Sequence, residues 1–202
     1  MDLRAAYPTM LLARAEKIGE RKRQWPDLKK YVQNVDEMRR LVAEELGISV
    51  KNAKKGFNAV MFGMTVRNWM RKEGVRAGRT SETMVRFDRD IRRARTLLAE
   101  EEIRRNPEMA GKKETTTLSR VVEREEEKVM RTLRTELEND GWTIGTLLHD
   151  ALVVHKRGSG DLERERRDLE GAVSRTLDEW NEAHGWSRSP EGAQLRAAVE
   201  AL

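Results

Sequence analysis

The sequence contains no cysteine, so it has neither a disulfide framework nor a thiolate metal site. This absence favours a reducing compartment, and we expect a cytoplasmic protein. No stretch approaches the roughly 20 apolar residues that a membrane helix requires, and the N-terminus lacks the charged-then-apolar order of a secretory signal, so we expect no membrane partner. Aromatic residues make up only 5% of the chain, which argues against a dense base-stacking surface.

Charged residues, by contrast, make up 37% of the chain, with 40 Lys and Arg against 35 Asp and Glu and a formal net charge of +5. Such a balance is typical of nucleic-acid partners and also of many helical proteins that bind none. Apolar residues recur at three- and four-residue spacing through most of the charged stretches, which predicts helices. Helix ends are predicted at Gly47 and Gly141, a single helix from Ser49 to Gly74, and a last short helix at the C-terminus.

One stretch departs from the helical pattern: GWTIGTLLHDALVVHKRG, residues 141–158. Two short aliphatic runs flank His149 and Asp150, which predicts two strands that meet at a tight turn. An aspartate at such a position is either a turn residue or a ligand.

Three short blocks occur in a fixed order along the chain: DLRAAYPTMLL (2–12), KNAKKGFNAVMFGMT (51–65) and LLHDALVV (147–154). Together they resemble blocks A, B and C of template-directed DNA polymerases. The first is similar to the D-x-x-S-L-Y-P-S-I pattern of family B. The resemblance implies that Asp2 is a metal ligand and that Tyr7 lies under the sugar, where it would exclude a 2′-hydroxyl.

The second block resembles the family A pattern, in which an aromatic residue follows a lysine by eight positions. Lys54 and Phe62 keep that interval, whereas Asn58 matches the asparagine that family B has four residues after its lysine. Lys51 lies next to the position of the usual upstream arginine. On one continuous helix, positions 54, 58, 62 and 65 would share a face, so the resemblance implies a nucleotide-binding surface there. An amphipathic basic helix without a ligand is the alternative.

The third block resembles the H-D-E turn of family A, with Ala151 in place of the glutamate. The resemblance implies that Asp150 is the second metal ligand and that His149 lies near the nucleic acid. The preceding helix occupies the place where polymerases have a helix that contacts template and primer, so the resemblance implies a nucleic-acid contact for Ser119. Arg76 and Arg79 lie in a basic loop that would contact phosphate backbones.

Two separated aspartates suit this chemistry, because phosphoryl transfer from a nucleoside triphosphate uses two Mg²⁺ ions. Mg²⁺ prefers hard oxygen ligands, and two carboxylates from neighbouring strands can hold both ions, with Mn²⁺ as an alternative. The expected partners are a DNA template-primer and a deoxynucleoside triphosphate.

The resemblance implies an α+β, predominantly helical fold: a polymerase-like palm, with a small antiparallel sheet around a central hairpin, plus helical fingers. Residues 1–23 and 114–202 would form the palm, and 24–113 the fingers-like region. Because only Met1 precedes Asp2, we expect another chain or domain to supply the thumb and a missing palm strand, and the setting to be phage or plasmid DNA replication. The alternative function is a non-catalytic helical nucleic-acid-binding protein, or a polymerase relic.

Overall fold

The computed structural model describes residues 2–4, 6–18, 25–76, 78–148, 151–155, 161–183 and 196–198. The fold is α+β and predominantly helical, as predicted. The helices are α1 (Ala6–Ile18), α2 (Pro26–Gln33), α3 (Val35–Leu46), α4 (Val50–Met61), α5 (Val66–Lys72), α6 (Glu82–Arg105), α7 (Glu114–Asn139) and α8 (Leu162–Ala183). The strands are β1 (Asp2–Arg4), β2 (Thr143–Leu148), β3 (Ala151–His155) and β4 (Arg196–Ala198). None of the described helices is both long and apolar enough to cross a membrane.

Several helix ends follow directly from local sequence. The Ser49 hydroxyl accepts a hydrogen bond from the Asn52 N–H (3.2 Å) and so caps α4, which leaves fewer unpaired N–H groups in the first turn. Gly47 ends α3 in the left-handed conformation, at φ 66°, where a side chain would be strained. Ser81 caps α6 in the same way as Ser49 caps α4, through the Met84 N–H at 3.0 Å. The predicted ends at Gly47 and Ser49 are therefore confirmed.

The prediction of one helix from Ser49 to Gly74 is wrong. α4 ends at Met61, Gly63 has φ 95°, and the Thr65 hydroxyl starts α5 by accepting from the Asn68 N–H at 3.2 Å. A positive φ interrupts the helical hydrogen-bond ladder, and a threonine two residues later offers a new cap. Phe62 is thus the C-cap residue of α4, and it does not share a continuous helical face with Thr65.

The four strands form one antiparallel sheet in the order β2-β3-β1-β4, and the predicted hairpin is its β2–β3 pair. The register shifts at Gly145, where a Cβ atom would meet the His155 imidazole, so glycine lets that ring lie across the strand. The predicted C-terminal helix is wrong for Arg196–Ala198, which pair with β1 instead. Pairing with a distant strand overrides local helix propensity there.

Contacts divide the chain into two compact units, residues 1–13 with 120–202 and residues 14–119. The first unit contains the sheet, and its helices bury apolar stripes such as Val129, Leu133 and Leu137 on α7. The second unit packs α2, α3, α4, α5 and α6 together. The division into palm and fingers at residues 23/24 and 113/114 stays a prediction.

The core of the second unit centres on three aromatic rings from three helices. Tyr31 of α2, Phe57 of α4 and Phe87 of α6 have centroids 4.4–4.9 Å apart and are almost fully buried. Tilted and edge-to-face rings at this spacing add to the stability gained from burial alone. Burial raises the pKa of Tyr31, whose hydroxyl accepts a hydrogen bond from Arg39 at 3.3 Å.

Candidate functional site

The first candidate site lies on the sheet of the first unit. Asp2 of β1 is the antiparallel partner of Ala151 of β3. β1 lies between β3 and β4, so its backbone is paired on both sides. The two chain segments that carry the predicted metal ligands, far apart in sequence, are therefore neighbours in one sheet.

His149 and Asp150 themselves lie outside the described residues. Among the residues that the structure describes, no group of three or more His, Cys, Asp or Glu side chains is arranged to hold a metal ion. The donor set that the sequence predicts consists of two carboxylates, and hard oxygen donors of this kind fit Mg²⁺ or Mn²⁺. Two other predicted residues are half-buried on helices: Tyr7 on α1, and Ser119 on α7.

Four of the five predicted nucleotide-binding residues belong to the second unit, whereas Tyr7, on α1, belongs to the first. Lys51, Lys54 and Asn58 are exposed on α4. The opposite face of the same helix is buried, with Phe57 at 0% exposure. Phe62, the C-cap residue, is 53% exposed, which is unusual for a large aromatic side chain.

Cations dominate the exposed surface from α4 to the loop after α5, which we call the basic surface. It comprises eight exposed residues: Lys51, Lys54, Lys55, Arg67, Arg71, Lys72, Arg76 and Arg79. Glu73 is the one acidic residue between positions 50 and 79, so eight cations less one anion give this segment +7, against +5 for the whole chain. No ion pair involves any of the eight within the part of the chain that the structure describes.

Sequence reasoning named half of this surface and missed the other half. Arg76 and Arg79 are exposed as expected, and the Arg79 guanidinium lies against Gly47 at the end of α3. The four missed residues are Lys55, Arg67, Arg71 and Lys72. Counting charges of each sign along this window would have found them, because the imbalance is visible without any structure.

A buried arginine fixes the end of α4. Arg95 of α6 is 8% exposed, and its Nη1 donates to the carbonyl oxygen of Val60 (3.1 Å). Its Nη2 lies 3.5 Å from the Glu114 carboxylate, which also accepts from the Thr96 hydroxyl at 2.7 Å. The same carbonyl also accepts from the Gly63 N–H at 3.0 Å, so Arg95 is its second donor, and a cation is favourable at a helix C-terminus. The position of the exposed Phe62, two residues after Val60, therefore depends on α6 and the start of α7.

A buried aspartate likewise fixes the start of α2. The Asp90 carboxylate accepts hydrogen bonds from the N–H groups of Asp27 (2.9 Å) and Leu28 (3.2 Å). Trp25, the residue before α2, makes no side-chain cap, so Asp90 supplies it from α6. Desolvation raises the pKa of Asp90, while the two backbone hydrogen bonds lower it by a smaller amount.

Comparisons with known proteins identify no relative: no protein-family model matches the chain, and no curated protein matches its sequence.

Proposed function

We propose that this chain is a palm and fingers module of a template-directed DNA polymerase, which transfers nucleotides to a DNA 3′ end. Asp2 and Asp150 hold two Mg²⁺ ions, Lys51 and Lys54 bind the triphosphate, Tyr7 selects the sugar, and Phe62 packs on the nascent base pair. The three ordered sequence blocks motivate these roles. The structural observation that carries the proposal is the pairing of Asp2 with Ala151.

This pairing matters because Asp150 immediately precedes Ala151 in the sequence. Directly opposite residues of an antiparallel pair have Cα atoms about 4.5–5.5 Å apart, and consecutive Cα atoms are about 3.8 Å apart. Asp2 therefore lies opposite the residue that directly follows Asp150 in the sequence.

Carboxylates on adjacent strands repel each other unless cations compensate. Two Mg²⁺ ions supply that compensation and, when bound, make the primer hydroxyl more acidic and neutralise the leaving pyrophosphate. The chain's own contribution is to hold the two carboxylates and to present ammonium groups to the triphosphate. The exposed Lys51 and Lys54 are compatible with the second task.

A primer-extension assay with Mg²⁺ tests the proposal. We expect Asp150→Asn and Asp2→Asn each to reduce incorporation by on the order of 1,000-fold, as loss of a ligand removes several kcal/mol of transition-state stabilisation. The matched control is Asp168→Asn, the same charge change at an exposed position of α8; it should leave incorporation unchanged. Retention of activity in Asp150→Asn would contradict the proposal.

The second candidate is a nucleic-acid-binding protein without catalysis, and the basic surface favours it. It predicts sequence-independent DNA binding that weakens steeply with salt, even if the parent incorporates no nucleotide with Mg²⁺ or Mn²⁺. Replacing Lys54 and Arg71 by alanine should lower the slope of log affinity against log salt by about one unit per lost phosphate contact. Lys112→Ala, at an exposed position outside the basic surface, is the control.

A further inference from the structure

A groove of about 870 Å³ lies between the first residues of α2 and the middle of α6, within the second unit. Trp25 and Pro26 line one side of it, and Arg89, Arg92 and Arg93 line the other. It shares no residue with the basic surface. Its volume lies in the range of sites that hold small organic ligands.

The walls of this groove are held together by the protein itself. Asp90, which lines the groove, is hydrogen-bonded to the first turn of α2 and so joins α2 to α6. The pairing also means that this carboxylate is already engaged by two donors. Asp27, a second acidic lining residue, is paired with Arg86 at 3.5 Å. The groove is therefore formed before any ligand arrives.

Two of the three arginines lack an ion-pair partner. Arg92 is bound by Asp88 at 2.9 Å, but neither Arg89 nor Arg93 makes an ion pair with any described residue, although Arg93 lies close enough to interact with Asp90. Both are exposed, and their spacing of four residues makes them neighbours on one face of α6. Like charges at this spacing repel, so an anion bound between them would remove an unfavourable interaction.

Trp25 forms part of one wall of the groove. The residue is 1% exposed, and its indole N–H is buried without a hydrogen-bond partner among the described residues. Buried tryptophan N–H groups usually find an acceptor, because leaving one unpaired costs about 1–3 kcal/mol. Because this nitrogen is closed to solvent, a ligand in the groove does not reach it, and the anion-binding groups of the groove are its arginines.

We propose that this groove binds a phosphate-bearing ligand, with one phosphate group between the guanidinium groups of Arg89 and Arg93. Arginine suits this role because its planar fork binds phosphate oxygens in pairs. The phosphate belongs either to a free nucleotide or to the backbone of a nucleic-acid strand. Glu100, an exposed acid that also lines the groove, disfavours ligands with a second anionic group close by.

Binding titrations on the full chain test the site with two probes: deoxyadenosine triphosphate without divalent metal, and a single-stranded DNA oligonucleotide. The test variant is Arg89→Gln/Arg93→Gln. The control is Arg104→Gln/Arg105→Gln, which removes the same two charges from α6 outside the groove, at arginines that pair with Glu101. The basic surface contributes equally in both variants, so the difference between them reports on the groove.

We expect the double variant to bind at least one probe about tenfold or more less tightly than the parent, which corresponds to the loss of a charge-assisted hydrogen bond. The control should bind both probes within about twofold of the parent. A loss of affinity for the nucleotide alone identifies a nucleotide site, and a loss of affinity for the oligonucleotide identifies a strand site. Equal affinities of the double variant and the control for both probes would overturn the proposal.

Discussion

Replacement of Gly56 by alanine, inside α4, has two effects of opposite sign on the free energy of unfolding. Alanine favours a helix interior over glycine by about 1 kcal/mol, because glycine loses more backbone freedom on folding. A Cβ atom at Gly56, however, would overlap the ring of Trp69 on α5. Trp69 is 1% exposed, so the ring has little free space into which it can move.

Overpacking of this kind typically costs about 1–3 kcal/mol, which exceeds the gain in helix propensity. We therefore expect Gly56→Ala to lower the free energy of unfolding by about 1 kcal/mol in urea titrations followed by circular dichroism. The matched control is Gly171→Ala in α8, where the nearest atom to a new Cβ is Arg175 Nη1 at an ordinary 3.7 Å. That change should raise stability by about 0.5–1 kcal/mol.

Removal of the Trp69 ring tests whether the overlap causes the loss of stability. In a double-mutant cycle, Gly56→Ala should cost less, or become stabilising, when Trp69 is first replaced by leucine, since the overlapping ring is then gone. Stabilisation by Gly56→Ala in the parent background, to the extent seen for Gly171→Ala, would refute the close approach of α4 and α5.

Two buried ionic groups allow further predictions. Because desolvation raises the pKa of Asp90, its protonated form favours the folded state: this contribution is fully present below the ordinary aspartate pKa of about 3.9 and is lost as the pH rises through the higher folded value. In urea titrations, parent stability relative to the non-titrating Asp90→Asn should thus increase as the pH falls from 7 towards 3; a constant difference would contradict the desolvation. Arg95→Met removes a charge-assisted hydrogen bond to the buried carbonyl of Val60, which keeps the Gly63 N–H as a donor, and should cost about 1.5–3 kcal/mol. Arg105→Met, at an exposed position, should cost less than about 0.5 kcal/mol, and equal costs would exclude a special role for Arg95.

The parts of the fold that sequence predicts well are those decided within a few residues. Ser49 lies three residues before the N–H that it caps, and Gly47 ends α3 because of its own φ angle. The hairpin likewise follows from two adjacent aliphatic runs. Each of these signals is complete in a short window, and packing elsewhere does not oppose it.

The parts that sequence misses depend on distant partners. Asp90 binds the start of α2 across 62 and 63 residues, and Arg95 reaches Val60 across 35, so both would be taken for ordinary charges on a solvated helix. The break at Gly63 is similar, because an isolated glycine within a helical pattern is compatible with either outcome. Here a Cβ would meet Thr115, a contact that no local pattern reveals.

The helices differ in whether their basic side chains form ion pairs, and this difference bears most directly on function. In α6, α7 and α8 many arginines pair with an acid four residues away, as in Arg105–Glu101, Arg131–Glu127 and Arg166–Glu170. Such pairs stabilise a helix by about 0.2–0.5 kcal/mol each, and like charges at the same spacing destabilise it by a similar amount. The cations of the basic surface, on α4, α5 and the loop after α5, make no such ion pairs with the described residues. Since the same chain readily supplies acidic partners elsewhere, the anions that complement this surface are expected to come from a ligand, and the phosphates of a nucleic acid or a nucleotide match its charge and its exposure.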